Sequence, residues 1–480
     1  MNLKKITAVL LAATLICGLA VSCKSREDTP EETESVTVET AEPIDPELTT
    51  DYIEDELTRD RIQTMQATFS ELAETSAADF SYTATDGEIT VTGYLGNAET
   101  VRVPSTIDGN PVVAVADAAF AENTNLKTLY LPDSVKKLGV GILKGCEALT
   151  ALRTPLMGED KTETQYLGYL FGATTYTDNP RDVPATLAYL ELGGTDKALD
   201  DFALFDCNDL VCVTLPDSMT KIGTYSLYNC NSLLAINTEH LTELAEHALD
   251  TCSALTVLEF GEGLSSIGFG ALEGCVGLRT LTLPFVGGSV NENTYLGYIF
   301  GAAVYDFAKG YYPTYLTAVT LLSTCKTLGN YAFYECETLT EMELPETLTS
   351  IGIRAFDGCI RLTDITLPDG VTSIGDNAFF GCISLESVAF GASSKLTKIG
   401  INAFYDCTAL TEITLPQSLK SLPASCFAGC LLLKEIDLGG VTAVGKQAFR
   451  NCKSLASISA RSDITFDDGN DCAERLLAEK

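Results

Sequence analysis

Seventeen cysteines, two histidines and 66 acidic side chains are the residues of this chain able to do chemistry, and their spacing narrows what that chemistry is. From Cys336 the cysteines fall at Cys359, Cys382, Cys407, Cys430 and Cys452, in steps of 23, 23, 25, 23 and 22 residues. Cys207, Cys230, Cys252 and Cys275 keep the same beat, while Cys212, Cys325, Cys426 and Cys472 lie off it. No two stand in the C-x-x-C spacing of a zinc site. Thiols recurring at one structural place in a chain with a large core are expected to be buried and free, since free cysteine packs as a small apolar group. Stacked positions would still lie within disulfide reach. His240 and His247 are expected to be surface turn residues and not metal ligands or general bases. There is no G-x-S-x-G, no H-E-x-x-H and no phosphate-cradling glycine loop. Composition leaves room for a glycosidase carboxylate pair, but a stack of repeats offers no deep pocket to dry one. The chain is expected to be no enzyme and to need no cofactor.

Each cysteine ends a recurring phrase, IGIRAFDGC at Cys359, IGDNAFFGC at Cys382 and IGINAFYDC at Cys407, and a second phrase, LTDITLP or LTEITLP, lies between the copies. A period of about 20–29 residues carrying L-x-x-I-x-L marks a leucine-rich solenoid. In one coil Leu362, Ile365 and Leu367 point inward while Thr363, Asp364 and Thr366 point out; Pro368 stops the strand. Gly375 bends the chain back, and Ala378 and Phe379 fill the far side. A lone coil cannot cover its apolar face, so coils must stack about 4.8 Å apart. The expected fold is a repeat solenoid: a curved parallel sheet with short turns or helical segments opposite. Twelve coils are counted, Asn123 taking the cysteine place in the first. The boundaries are an N-terminal β cap at 80–112, the solenoid at 113–460 and a C-terminal cap at 461–480 holding the acidic run Asp467–Asp471.

Two intervals break the beat, Cys146 to Cys207 and Cys275 to Cys336, each 61 residues long. They read as insertions near 154–195 and 284–318, each containing YLGY[LI]FGA, and point to an inherited unit of 129 residues. Tyr166 and Tyr169 in the first, and Tyr295, Tyr298, Tyr305, Tyr311 and Tyr312 in the second, are candidate ligand anchors; the alternative is that they pack the loops onto adjacent coils. On the outward strand face Glu341, Asp364, Glu412 and Glu435 form a column, with Glu386 one place early and Glu343 and Asp437 on the same face. Like charges on neighbouring strands repel. The column is therefore a candidate stripe for a cationic partner or surface Ca²⁺, against the alternative of a face kept charged for solubility.

The phrase IGxxAFxxC followed by LxxIxLP resembles the BspA-type leucine-rich repeat over about Phe80 to Ala460. That resemblance implies a parallel solenoid and a cell-surface role in adhesion or ligand capture. The chain lacks the asparagine of the commoner LxxLxLxxN repeat, and the cysteine column is the candidate for its turn-filling role.

The N-terminus reads as a targeting signal: Lys4 and Lys5, an apolar run from Ile6 to Val21, then Ala20-Val21-Ser22-Cys23. This resembles a bacterial lipoprotein box, which implies removal of 1–22 and lipidation of Cys23. From Lys24 to Asp60 fourteen acidic residues face three basic ones, so 23–50 is expected to be a solvated, disordered tether. A short helical segment at 51–79 follows, with Ile53, Leu57, Met65, Phe69 and Leu72 near one face. A net charge of −35 argues against nucleic acid or anionic membrane as an electrostatic partner, leaving the lipid as the membrane contact. The expected protein is an extracytoplasmic, cell-surface lipoprotein binding an extracellular protein or glycan, in adhesion to host or microbial surfaces. The alternative is a glycan-binding surface component of a nutrient-uptake system.

Overall fold

A computed structural model describes residues 63–478 except 66, 71 and 164. The chain divides into two units, Met1–Glu54 and Asp55–Lys480, and every described residue belongs to the second. The signal at 1–22, Cys23, the tether at 23–50 and the first part of the 51–79 segment lie outside the described residues.

The described chain winds as a parallel β-solenoid. Strands such as Asp364–Leu367 alternate exposed and buried residues, so one face of each strand is turned to the interior. Each residue pairs with its counterpart one coil on: Leu129 with Leu152, Leu152 with Leu190, Leu190 with Val213, and Val213 with Ile236. A second, two-residue ladder runs along another side, as at Ser350–Ile351 and Ser373–Ile374. The third side is neither strand nor helix. There the turn of each regular coil holds two residues at positive φ, Arg354 (53°) and Gly358 (77°) in one coil, Asn377 (54°) and Gly381 (67°) in the next. This geometry aims alternate N–H groups at the following coil: Arg354 donates to the Asp376 carbonyl (2.9 Å), Phe356 to Ala378 (2.7 Å) and Gly358 to Phe380 (2.9 Å). The backbone is thus hydrogen-bonded between coils on the turn side as well.

Between those N–H groups the phenylalanines stack through the interior. Ring centroids lie 5.2 Å apart from Phe333 to Phe356, 5.1 Å to Phe379, 5.2 Å to Phe404 and 5.3 Å to Phe427, with planes within 7° of parallel. The cysteine column has a specific job beside them. The Cys359 thiol donates to the Phe333 carbonyl (3.2 Å), Cys382 to Phe356 (3.1 Å), Cys407 to Phe379 (3.2 Å) and Cys430 to Phe404 (3.2 Å). Each sulfur therefore satisfies a carbonyl in the coil before its own, which is the turn-filling role. All fourteen cysteines whose side chains are described are free and buried, and burial pushes thiols such as Cys275 and Cys336 up to about 12. One continuous core runs from Phe80 to Ala473.

The two long intervals are not loops outside the stack. Leu167–Phe171 and Leu296–Phe300 are 3-10 turns closed by left-handed Gly172 and Gly301. They occupy the turn side of an additional coil: Leu143 donates to the Leu170 carbonyl and Leu167 to the Ala203 carbonyl. Gly168 is needed because a Cβ there would meet Asn179 Oδ1 at 2.5 Å. Each 61-residue interval thus holds two coils, and the strand ladder crosses it from Ala151–Thr154 directly to Tyr189–Leu192. The expected count of twelve is too low for this reason.

At the N-terminal end Phe80–Thr85 pairs antiparallel with Glu88–Tyr94, which then pairs parallel with Asn110–Val115. At the other end, the Asn470 side chain is fully buried, donates to the carbonyls of Gly445 (3.0 Å) and Asp467 (2.7 Å), and accepts from the Phe449 N–H (3.3 Å). The helix Asp471–Ala478 follows.

Because Phe379 is fully buried between two parallel rings, Phe379→Ala should lower the unfolding free energy by about 3–5 kcal/mol. Urea titration followed by circular dichroism measures this, and a loss within error of zero would contradict the stacked interior.

Candidate surface for ligand binding

The outward positions of the sheet fall into two unlike regions. In the first coils they are Thr128 and Tyr130, Ala151 and Arg153, Tyr189 and Glu191, Cys212 and Thr214. Here the chain covers its own face. Phe69 is buried against Ala151, Tyr189 and Cys212, with Met65 and Leu72 beside it. Its ring stacks on Tyr189 at 5.4 Å and meets Tyr130 edge-on at 6.1 Å. The segment is tied by Arg102, whose guanidinium donates to the Leu72 carbonyl (3.0 Å) and lies 4.1 Å from the centre of the Tyr130 ring. Arg153 closes the patch: it pairs with Asp133 (2.9 Å) and Glu191 (3.0 Å) and lies over the other side of Tyr130. Cys212, off the cysteine beat, is explained by this contact.

Farther on, the face is open and acidic. Glu341, Glu343, Asp364, Glu386, Glu412 and Glu435 are exposed, and Asp437 is half-buried. Glu412 and Glu435 are direct partners across adjacent strands, as are Thr414 and Asp437. Ser387 holds the column position beside Asp364, and Glu386 lies in the turn before it. Three of the acids are engaged locally: Asp437 Oδ1 accepts from the Gly439 N–H (3.0 Å), Glu343 from the Thr320 hydroxyl (3.3 Å) and Asp364 Oδ2 from the Thr363 hydroxyl (2.9 Å).

The strand ladder is interrupted between Ala235–Ile236 and Val257–Glu259, between Glu341–Glu343 and Asp364–Leu367, and again at the 25-residue coil between Cys382 and Cys407. Ser387–Phe390 and Glu412–Thr414 belong to separate sheets, bridged by a long Thr411 N–H to Glu386 carbonyl contact of 3.4 Å. A groove of about 470 Å³ opens there, lined by Ser387, Phe390, Glu412, Thr414, Glu435, Asp437, Ser457 and Ser459. Carboxylates and hydroxyls converge on it beside Ala389 and Phe390, the chemistry of a site for cations or polyols.

Six of the seven candidate tyrosines are engaged within the fold. Tyr166 donates its hydroxyl to the Ala173 carbonyl (3.2 Å), Tyr169 to Leu138 (3.1 Å), Tyr295 to Ala302 (3.0 Å) and Tyr312 to Tyr334 (2.9 Å). Tyr298 packs edge-on against Phe269 and Tyr295, and Tyr305 lies flat on Tyr331 at 3.6 Å. These side chains hold the added coils together, which is the packing alternative; burial lifts the Tyr169 phenol to about 12. Tyr311, Phe307 and Tyr315 remain exposed.

The phrase-by-phrase agreement of these coils extends to a family model. The BspA type leucine rich repeat region matches six copies, over residues 97–162, 186–297, 308–395 and 390–469. The chain belongs to this family. No curated protein matches the chain. Similar solved structures include a leucine rich cell surface protein from Faecalibacterium prausnitzii, 20% identical, covering 82% of this chain and 97% of that one, with a TM-score of 0.32. A leucine-rich repeat protein from Bacteroides ovatus is 18% identical, covers 82% and 99%, and has a TM-score of 0.27. A pneumococcal vaccine antigen is 17% identical, covers 85% and 96%, and has a TM-score of 0.28. Among the described residues no helix is long and apolar enough to cross a membrane.

Phe69→Ala should uncover Cys212 while the interior thiols stay protected. Alkylation of Cys212 in the native protein should quicken by about tenfold or more, the effect of ~1.4 kcal/mol on local opening. Peptide mapping after a timed maleimide pulse reads it; equal rates in both proteins would show that the segment does not guard this face.

Proposed function

We propose that this BspA-type protein is a surface-displayed, non-catalytic receptor that captures extracellular macromolecules in adhesion, through the open acidic part of its sheet face. The carrying observation is the contrast along that face. The chain covers the aromatic first coils with Phe69, whereas Glu341, Asp364, Glu412 and Glu435 stand uncovered, the last two lining the groove. A column of like charges opposes stacking unless a partner offsets it, and the ligand that does so is a basic protein surface. The lipoprotein-like Ala20-Val21-Ser22-Cys23 and the acidic stretch after it support display on a lipid anchor, with the tether as spacer. A second reading, glycan capture for nutrient uptake, is favoured by the hydroxyls of Ser387, Thr414, Ser457 and Ser459 beside Phe390 in the groove.

Reversing Glu341, Asp364, Glu412 and Glu435 to Lys should abolish capture of basic matrix proteins on a panel and leave the thermal unfolding midpoint nearly unchanged. Undiminished protein capture would sink the stripe, and binding confined to a glycan array would select the second reading. For the anchor, Cys23→Ala should move the protein from the membrane fraction of expressing cells into the soluble fraction. Retention in the membrane would refute lipidation at that residue.

A further inference from the structure

We propose that His247, Asp250 and Glu273 form a site for one first-row divalent transition-metal ion, clipping two successive coils together. His247 and Asp250 stand on the turn side of one coil, and Glu273 takes the place of Asp250 in the next. The three ligand atoms all lie within 4.8 Å of one another. His247 Nδ1 is 3.0 Å from Asp250 Oδ2 and 3.6 Å from Glu273 Oε2. Separations of about 3.0–3.5 Å are the edges of a coordination polyhedron with bonds of about 2.0–2.2 Å.

Two further observations point to a ligand and not merely to a hydrogen-bonded cluster. First, the space between the donors is kept clear. The residue of the next coil in the His247 column is Gly270, where a Cβ would lie 2.7 Å from His247 Cε1, 2.9 Å from Nδ1 and 3.0 Å from Glu273 Oε2. Gly301, one coil further, likewise leaves the Glu273 carboxylate clear, where a Cβ would meet Oε2 at 2.5 Å. Second, the donors are oriented before any ion arrives. The imidazole lies flat on Tyr225, 4.8 Å away and 2° from parallel, with Phe269 edge-on at 5.9 Å, and Asp250 Oδ1 accepts from the Thr251 hydroxyl (2.7 Å).

The charge balance favours a dication. In a later coil the same two positions are Arg354 and Asp357, a direct ion pair at 3.3 Å in which one cation meets one carboxylate. At His247 a single imidazole faces two carboxylates, with Glu246 3.8 Å from Nε2. One nitrogen and two carboxylate donors suit Zn²⁺, Co²⁺ or Mn²⁺ and not Ca²⁺, which takes oxygen ligands. Three protein ligands leave the remaining coordination positions to water.

The test is a Co²⁺ titration of the chelator-treated full chain in excess Mg²⁺, which saturates weak sites on so acidic a surface. We expect one equivalent, d–d absorption without a thiolate-to-metal band, and a higher unfolding midpoint with metal. Glu273→Gln keeps the His247–Asp250 hydrogen bond and should weaken binding at least about tenfold, a loss of ~1.4 kcal/mol; Asp250→Asn should do the same. Glu262→Gln, away from the cluster, should bind as the parent does. No binding under excess Mg²⁺, a thiolate band, or an unchanged affinity in Glu273→Gln with a native circular dichroism spectrum would each overturn the site.

Discussion

Every coil in this protein is half of a contact. A coil has a single layer of chain with an apolar interior edge, and it becomes stable when the next coil lies about 5 Å away in register. The phenylalanine column shows the constraint most directly: five successive rings from Phe333 to Phe427 hold spacings of 5.1–5.3 Å and near-parallel planes. Thiols and positive-φ turns serve the same register by sending hydrogen bonds from coil to coil. Stability is therefore spread along the stack, and no single pocket concentrates it.

Register has a price on the outside. Whatever a column position carries is brought against its own copies, so Glu412 faces Glu435 as surely as Phe379 faces Phe404. On the interior that repetition stabilises; on the sheet face it sets like charges side by side. Positions where a column changes character are thus the informative ones. The repeat lengthens at the 25-residue coil, and the groove lies there; the turn column changes from Tyr225 to His247 to Gly270, and the proposed metal site lies there.

Much was legible in the sequence because the repeat is local. IGxxAFxxC and LxxIxLP announced coil length, strand, interior residues and the burial of the cysteines. The outward acids from Glu341 to Glu435 followed from strand alternation alone. Less legible was the turn side, although its signal was present: Asn377, Asn402, Asn451, Gly358 and Gly381 fall at the two places per coil where φ is positive, the residues that adopt that geometry most readily. The YLGY[LI]FGA copies looked like breaks because their coils close with a 3-10 turn and a left-handed glycine, and Thr174 and Ala303 stand where the other copies carry cysteine.

The sequence by itself determined the coil, its inward and outward faces, and the family, since each depends on residues within one repeat. Tertiary structure alone decided which part of the outer face stays open and which residues from different coils meet. Phe69 is about 120 residues from Tyr189 along the chain, and Glu273 reaches His247 from the neighbouring coil. Neither contact has a periodic signature, because each occurs once, and a side chain that appears once in a repeating lattice acquires its neighbours from stacking geometry and not from its own phrase.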